Sequence, residues 1–98
     1  MSKRYRVVTH PDGTQCTRGT NRDRVYAWAV VRVLPEGATY APTEGLRAPG
    51  ELVPLARYEV VSWRSDQESA ERYAATKTGR YAGNDAAYKV VPTDEVTA

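Results

Sequence analysis

The segment Val25–Leu34 (VYAWAVVRVL) limits the possible folds more than any other part of the sequence. Alternate side chains of a strand lie on opposite faces. One face would hold only valine and alanine: Val25, Ala27, Ala29, Val31 and Val33. The other would hold Tyr26, Trp28, Val30, Arg32 and Leu34. Because both faces are largely apolar, we predict a central strand that is covered on both sides.

A strand followed by a helix is predicted in the second half of the chain. Tyr58–Arg64 contains β-branched and aromatic residues. Ser65 and Glu68 match a capping box, which predicts a helix over residues 66–78. Gly79 fits a left-handed cap at the end of that helix. Small and aromatic residues form one helical stripe, and we expect it to pack on the alanine and valine face of the central strand. The stripe consists of Ala70, Tyr73, Ala74 and Lys77.

Turn chemistry predicts a hairpin at the start of the chain. Arg4–Thr9 is a short strand, and Pro11-Asp12-Gly13 is a strong turn signal. A return strand over residues 15–18 would complete the hairpin. His10 and Cys16 could then face each other across it.

The remaining segments complete the predicted architecture. Residues 81–87 are expected to be irregular, with a helical turn at Asn84, and the last strand is Tyr88–Pro92. Strand, helix and strand in succession indicate a right-handed crossover with the two strands parallel. The predicted class is α+β: a mixed sheet of four or five strands with one main helix, ordered as β-hairpin, long strand, long loop and βαβ. The 98 residues form a single domain, 1–98, with a long Pro/Gly-rich loop over residues 35–57 and a flexible tail over residues 93–98.

Having only one helix raises the question of what covers the second sheet face. We expect that face to contain Tyr26 and Trp28, and exposed apolar area costs about 25 cal/mol per Å². The loop over residues 35–57 is the favoured cover. A second copy of the chain comes next, since most soluble oligomers are homo-oligomers, and a different partner is the third candidate.

Composition indicates a soluble protein of a reducing compartment. A single cysteine excludes an internal disulfide and a cysteine-cluster metal site, and it is typical of the cytoplasm. No apolar run is long enough to span a membrane. We expect no metal and no cofactor.

No constellation of residues indicates catalysis. His10 is the only histidine, and the sequence has no G-x-S-x-G elbow and no phosphate-binding glycine loop. Asp66, Glu68 and Glu71 are explained by the favourable field at a helix N-terminus. We therefore predict that the chain is not an enzyme.

The segment Thr17–Arg24 is the best candidate for a binding loop. Its arginine and threonine side chains suit phosphate, and aromatic rings nearby would stack on bases. Residues 1–34 have a net charge of +5, which favours an anionic partner. Polar hairpin loops often have the same composition without binding anything, and that interpretation is favoured. The candidate binding residues are Arg18, Thr20, Arg22, Arg24, Tyr26 and Trp28.

The pattern TRGTNRDRVYAWAVV, followed by VVSW and an alanine-bearing helix and then by VVPT, resembles small proteins of actinobacteriophages and their actinobacterial hosts. The matching positions cover under half of the chain: Thr17, Arg18, Thr20, Arg22, Tyr26, Ala29, Val30, Val31, Ser62 and Trp63. The insertion over residues 35–57 departs from the pattern. The resemblance implies an origin and no activity.

These observations rank three hypotheses for function. The first is a non-catalytic protein-binding module of phage type, which would bind a host protein or itself in the bacterial cytoplasm. The alternative is a nucleic-acid-binding module that uses the arginine and threonine loop and the aromatic strand. A small enzyme is third.

Overall fold

The computed structural model describes residues 4–20, 25–40 and 52–97. Its helix and strands follow the chain as β1 (Arg4–Thr9), β2 (Gln15–Gly19), β3 (Trp28–Val33), β4 (Thr39–Tyr40), β5 (Val53–Pro54), β6 (Tyr58–Arg64), α1 (Gln67–Ala75), β7 (Arg80–Tyr81), β8 (Asn84–Asp85), β9 (Ala87–Pro92) and β10 (Asp94–Thr97). Within the described residues, no helix is both long enough and apolar enough to cross a membrane.

The strands form several small sheets rather than the single mixed sheet that the sequence predicts. One three-stranded sheet has the order β10-β1-β2 and is called the terminal sheet below. The other has the order β6-β3-β9 and is called the central sheet. Two further sheets have two strands each, and every strand pair among the described residues is antiparallel. The α+β class therefore holds in outline, with sheet predominating over helix.

The first hairpin forms as predicted. The amide of Gly13 donates to the carbonyl of His10, and Gly13 adopts φ +88°, which glycine tolerates because it has no Cβ. The carboxylate of Asp12 accepts from the amide and the hydroxyl of Thr14. Val8 is paired with Cys16 across the two strands.

The predicted flexible tail over residues 93–98 is wrong for most of its length. Asp94–Thr97 forms β10 and pairs with β1. Thr93 is 7% exposed and lies where the chain passes from the central to the terminal sheet. Its hydroxyl donates to the carbonyl of Tyr26 at 2.6 Å and accepts from Nε of Arg6 at 2.9 Å. These bonds direct the chain toward β1, so a polar segment becomes a strand.

The central strand lies where the sequence predicts it, between two neighbours. β3 pairs with β6 on one side and with β9 on the other, with an irregularity in the β6 pairing between Val30 and Val31. Since both neighbours are antiparallel to β3, they run in the same direction as each other. The predicted parallel direction of the two strands therefore holds, but β3 lies between them.

The predicted helix forms with different ends. The carboxylate of Asp66, not Ser65, caps α1 by accepting from the amide of Ser69 at 2.7 Å. The helix ends at Ala75, and Thr76 is the C-cap in a right-handed conformation. The predicted left-handed cap at Gly79 is therefore wrong. The carbonyl of that residue instead accepts from Ala86 at 2.7 Å, which joins the segment to the start of β9.

The helix covers the face of β3 opposite to the one predicted. Arg64 pairs with Trp28 across the strands, so the two residues share a face. The Arg64 guanidinium lies 4.8 Å from the ring centroid of Tyr73 on α1. The helix therefore packs on the face that contains Trp28 and Val30, and Val30 and Ala70 are both fully buried.

The alanine and valine face of β3 packs against the terminal sheet instead. Val8 of β1 forms one buried cluster with Ala29 and Val31 of β3. Trp63 and Val91 pack against this cluster from the two outer strands. Both faces of β3 are thus covered by the chain itself near Ala29, as its apolar pattern requires.

Two segments that were predicted to be irregular contain short hairpins. Within the loop over residues 35–57, β4 pairs with β5, and residues 41–51 lie outside the described residues. The predicted cover of a sheet face by the loop therefore stays a prediction. The expected helical turn at Asn84 is wrong, because this residue belongs to β8, which pairs with β7. Ala82 and Gly83 have positive φ and form the turn between β7 and β8.

Replacement of Thr93 by valine should destabilise the fold while preserving the β-branched shape. The variant T93V leaves the carbonyl of Tyr26 without its shortest hydrogen bond and removes an acceptor from Arg6. We expect the free energy of unfolding to fall by about 1–3 kcal/mol in urea denaturation. The matched control is T17V at an exposed strand position, which should change stability by less than about 0.5 kcal/mol. Equal effects of the two substitutions would contradict the role given to Thr93.

Candidate functional site

Of the four predicted binding residues that the structure describes, Arg18 and Tyr26 are brought into contact with each other. The guanidinium carbon of Arg18 lies 4.3 Å from the ring centroid of Tyr26, and Nη2 donates to the phenol oxygen at 3.3 Å. Arg18 is exposed and Tyr26 is half-buried. One face of the tyrosine ring is therefore already covered by an arginine of the same chain.

The other predicted residues are placed differently. The amide and the hydroxyl of Thr20 both donate to the carbonyl of Arg4 at 3.1 Å, so this threonine closes the end of the hairpin. Trp28 lies in the central sheet between Arg64 and Pro92. Arg22 and Arg24 lie outside the described residues.

The face beside Tyr26 and Trp28, for which the sequence predicts a cover other than the helix, is covered by the helix near Val30. Val30 and Leu34 are at most 1% exposed, and the two aromatic residues are half-buried. Helix α1 accounts for this burial. Apolar surface is accessible on the opposite face of the central sheet instead.

A cleft of about 450 Å³ opens between the two three-stranded sheets. We call it the inter-sheet cleft. Its apolar part is formed by four valines from three strands: Val8, Val31, Val33 and Val91. The remaining lining residues are Thr9, His10, Pro11, Arg57, Tyr58, Lys89, Pro92 and Asp94.

Strand register defines the two ends of the cleft. Ala29 is paired with Val91 and lies under Val8, where the two sheets touch. Val33 is paired with Tyr58 at the other end of β3 and is half-buried. Val33 also packs against the buried cluster, but it stays partly accessible from the cleft.

Stacked planar groups form one wall of the cleft. The rings of His10 and Tyr58 lie with their centroids 5.3 Å apart and their planes inclined by 10°. The guanidinium carbon of Arg57 lies 5.3 Å from the centroid of Tyr58. This wall joins the first turn of the terminal sheet to the first residue of β6.

His10 also contacts the single cysteine behind the wall. Its Nε2 lies 3.3 Å from the Sγ atom of Cys16, so the two residues face each other across the hairpin, as the sequence predicts. His10 is 5% exposed, and burial lowers the pKa of its imidazole below the ordinary 6.5, while the nearby charge of Asp12 raises it to a lesser extent. A neutral imidazole accepts a hydrogen bond from a thiol. The pair therefore fixes the orientation of the His10 ring against Tyr58.

Charged residues are distributed unevenly around the cleft. Lys89 is the cross-strand partner of Val31, midway along β3, and the carbonyl of Arg57 accepts from the amide of Leu34, at the end of the cleft near Val33. Asp94 follows β9, is paired with Val7 and lines the cleft toward its other end. All three charged residues are exposed. The end of the cleft near Val33 is therefore positively charged.

The arrangement suits binding of a small apolar group. Ligand sites are typically concave, about 300–1,000 Å³ in volume, and mostly apolar with a few polar groups. Among the described residues, no three histidine, cysteine or acidic side chains lie close enough together to hold a metal ion. The sequence predicts the hairpin and the strands that form the cleft. It does not predict the cleft itself, because the cleft depends on how two separate sheets pack.

Stability should fall on acidification because of His10. The folded chain has a lowered His10 pKa, so the unfolded chain binds more protons as the pH falls below 6.5. The free energy of unfolding should therefore decrease from about pH 7 to about pH 5, and the variant H10N should show a smaller decrease in urea denaturation. Asp12, whose pKa is lowered from 3.8 mainly by its hydrogen bonds with Thr14, contributes below this window. Parallel pH profiles of the two proteins would contradict the argument.

Comparison with known proteins yields no relative. No family model, no curated protein and no solved structure matches the chain. The resemblance to actinobacteriophage proteins therefore stays a prediction.

Proposed function

We propose that the chain is a non-catalytic protein-binding module of phage type, active in a bacterial cytoplasm, and that the inter-sheet cleft is its contact surface. The supporting observation is that Val33 and Val91, which line the cleft, are only half-buried. Exposed apolar area costs about 25 cal/mol per Å², so a partner that covers it gains a corresponding free energy. The proposed contact surface is therefore on the face of the central sheet opposite to Tyr26 and Trp28.

The surroundings of His10 favour binding over catalysis. The ring is buried and stacked on Tyr58, and Nε2 is directed at Cys16. A general base must reach a substrate proton at hydrogen-bond distance. The contact with the Cys16 thiol also has the distance of a nucleophile–base pair, so the preference for binding rests on the burial of the His10 ring, which is 5% exposed.

A second copy of the chain is one candidate partner. Strand β2 lies at the edge of the terminal sheet, and four of its five residues are exposed. Exposed edge strands can pair with another chain. Sedimentation of the purified protein over a range of concentrations distinguishes self-association from binding to a host protein.

The proposal predicts that a charge in the cleft abolishes peptide binding. A random heptapeptide library displayed on filamentous phage would be selected on the immobilised protein and on the variant V33D. Val33 is half-buried and lines the cleft, so the new carboxylate would remove apolar contact from the cleft. We expect enriched peptides to bind the wild type at least about tenfold more tightly than V33D, which corresponds to about 1.4 kcal/mol.

The control for this experiment is the same substitution elsewhere. Val96 is 45% exposed on β10 and does not line the cleft, so V96D should bind the selected peptides as the wild type does. Thermal unfolding of both variants would verify that they are folded. Equal binding by the wild type and a folded V33D would refute the proposed contact surface.

Nucleic-acid binding is retained as a second candidate because of the Arg18 and Tyr26 pair. An exposed guanidinium held on a half-buried tyrosine ring offers a phosphate contact next to an aromatic side chain. Arg4 adds a cation whose side chain is 71% exposed. The ion pair of Arg4 with Glu95 at 3.8 Å weakens this positive surface.

If the second candidate is correct, R18A should weaken binding to single-stranded nucleic acid. A gel-shift titration at two salt concentrations would show a steep loss of affinity with salt for the wild type and a shallower one for R18A, since each lost phosphate contact reduces the salt slope. R72A, which changes an exposed arginine on α1, is the control. The absence of any shift at micromolar protein and low salt would exclude this function.

A further inference from the structure

We propose that the inter-sheet cleft recognises a peptide segment in which an apolar side chain lies next to a carboxylate. This inference rests on the proposed protein-binding function and names the chemistry of the partner. It follows from the order of apolar and charged groups along the cleft.

The apolar half of the motif follows from the valine surface. Val31 and Val33 lie on the central strand, and Val91 lies on β9 beside them. Their side chains present branched aliphatic groups and no hydrogen-bonding atoms. An aliphatic or aromatic side chain of the partner therefore fits this part of the cleft better than a polar one.

The acidic half of the motif follows from the two cations. Arg57 lies at the Val33 end of the cleft and Lys89 lies level with Val31, while Asp94 lines the cleft toward its opposite end. Burial lowers the pKa of His10, so its imidazole is neutral at neutral pH and the positive charge comes from Arg57 and Lys89. A segment whose apolar side chain enters the cleft would therefore place its flanking residue near these cations.

The same charges determine the direction in which an acidic peptide would lie along the cleft. A partner carboxylate that is directed toward Asp94 meets a like charge, and one that is directed toward Arg57 and Lys89 meets opposite charges. Like-charge contacts suppress the wrong register in protein interfaces. An acidic partner can therefore bind in one direction along the cleft, and a basic partner cannot use that direction.

Selection from the heptapeptide library tests this inference directly. The wild type should enrich peptides with an aliphatic or aromatic residue within two positions of Asp or Glu. The double charge reversal R57E/K89E should enrich Lys or Arg at that position instead. A synthetic acidic peptide from the wild-type selection should bind the double variant about tenfold more weakly by calorimetry.

A matched double variant provides the control. R72E/K77E makes the same change in net charge in the last turn of α1 and just after its C-cap, at residues that do not line the cleft. It should retain the preference for acidic peptides and the affinity for the synthetic peptide. Thermal unfolding would establish that both double variants are folded.

The possible outcomes separate the inference from the function on which it rests. Peptides that depend on Val33 but show no preference for acidic residues would overturn the inference and leave the protein-binding function standing. The same acidic preference in R57E/K89E would also overturn the inference. Selected peptides that bind V33D as well as the wild type would overturn the proposed function itself.

Discussion

The hydrogen bonds of Thr93 hold the two main sheets together. Its hydroxyl joins Nε of Arg6 on β1 to the carbonyl of Tyr26 ahead of β3, and its own carbonyl accepts from Nη2 of Arg6 at 3.2 Å. Its amide donates to Ala27 at 2.9 Å. Buried polar groups need such partners, and a complete network fixes one arrangement of the segments it joins. The position of the terminal sheet, and hence of the cleft, depends on this junction.

The cleft lies between two places where the sheets meet. Near the junction, Val8 lies on Ala29 and Val31, and the sheets share a buried cluster. At the far end of β3, the terminal sheet contributes only its first turn, where His10 stacks on Tyr58. Between the cluster and this stack, the valine surface is accessible. His10 directly precedes the tight turn of the first hairpin, and in this position its ring stacks on Tyr58 and forms one wall of the cleft.

Features fixed by local chemistry were predictable, and those fixed by contacts between distant residues were not. Pro11-Asp12-Gly13 forms its turn, and β3 occupies a central position, because turn residues and apolar alternation act over a few residues. The sequence does not predict β10, because this strand depends on hydrogen bonds between Thr93 and two residues, Tyr26 and Arg6, that are 67 and 87 positions away in the chain. The apolar side chains on both faces of Val25–Leu34 correctly predict that both faces of the strand are covered. They do not show which of the two faces packs against the helix. The same ambiguity affects the candidate site: the sequence favours Tyr26 and Trp28, whereas the cleft lies on the opposite face of the sheet, where Val33 is half-buried.

The two faces of β3 differ in a way that supports a binding role for the cleft. On the helix face, Arg32 is 7% exposed, pairs with Glu59 and lies 3.5 Å from the ring centroid of Tyr81, while its Nε has no hydrogen-bond partner. A buried donor without a partner costs about 1–3 kcal/mol. On the other face, Val33 stays partly accessible at the same end of the strand. Departures from local consistency of this kind are expected at functional sites, and Val33, which follows Arg32 in β3, lines the cleft.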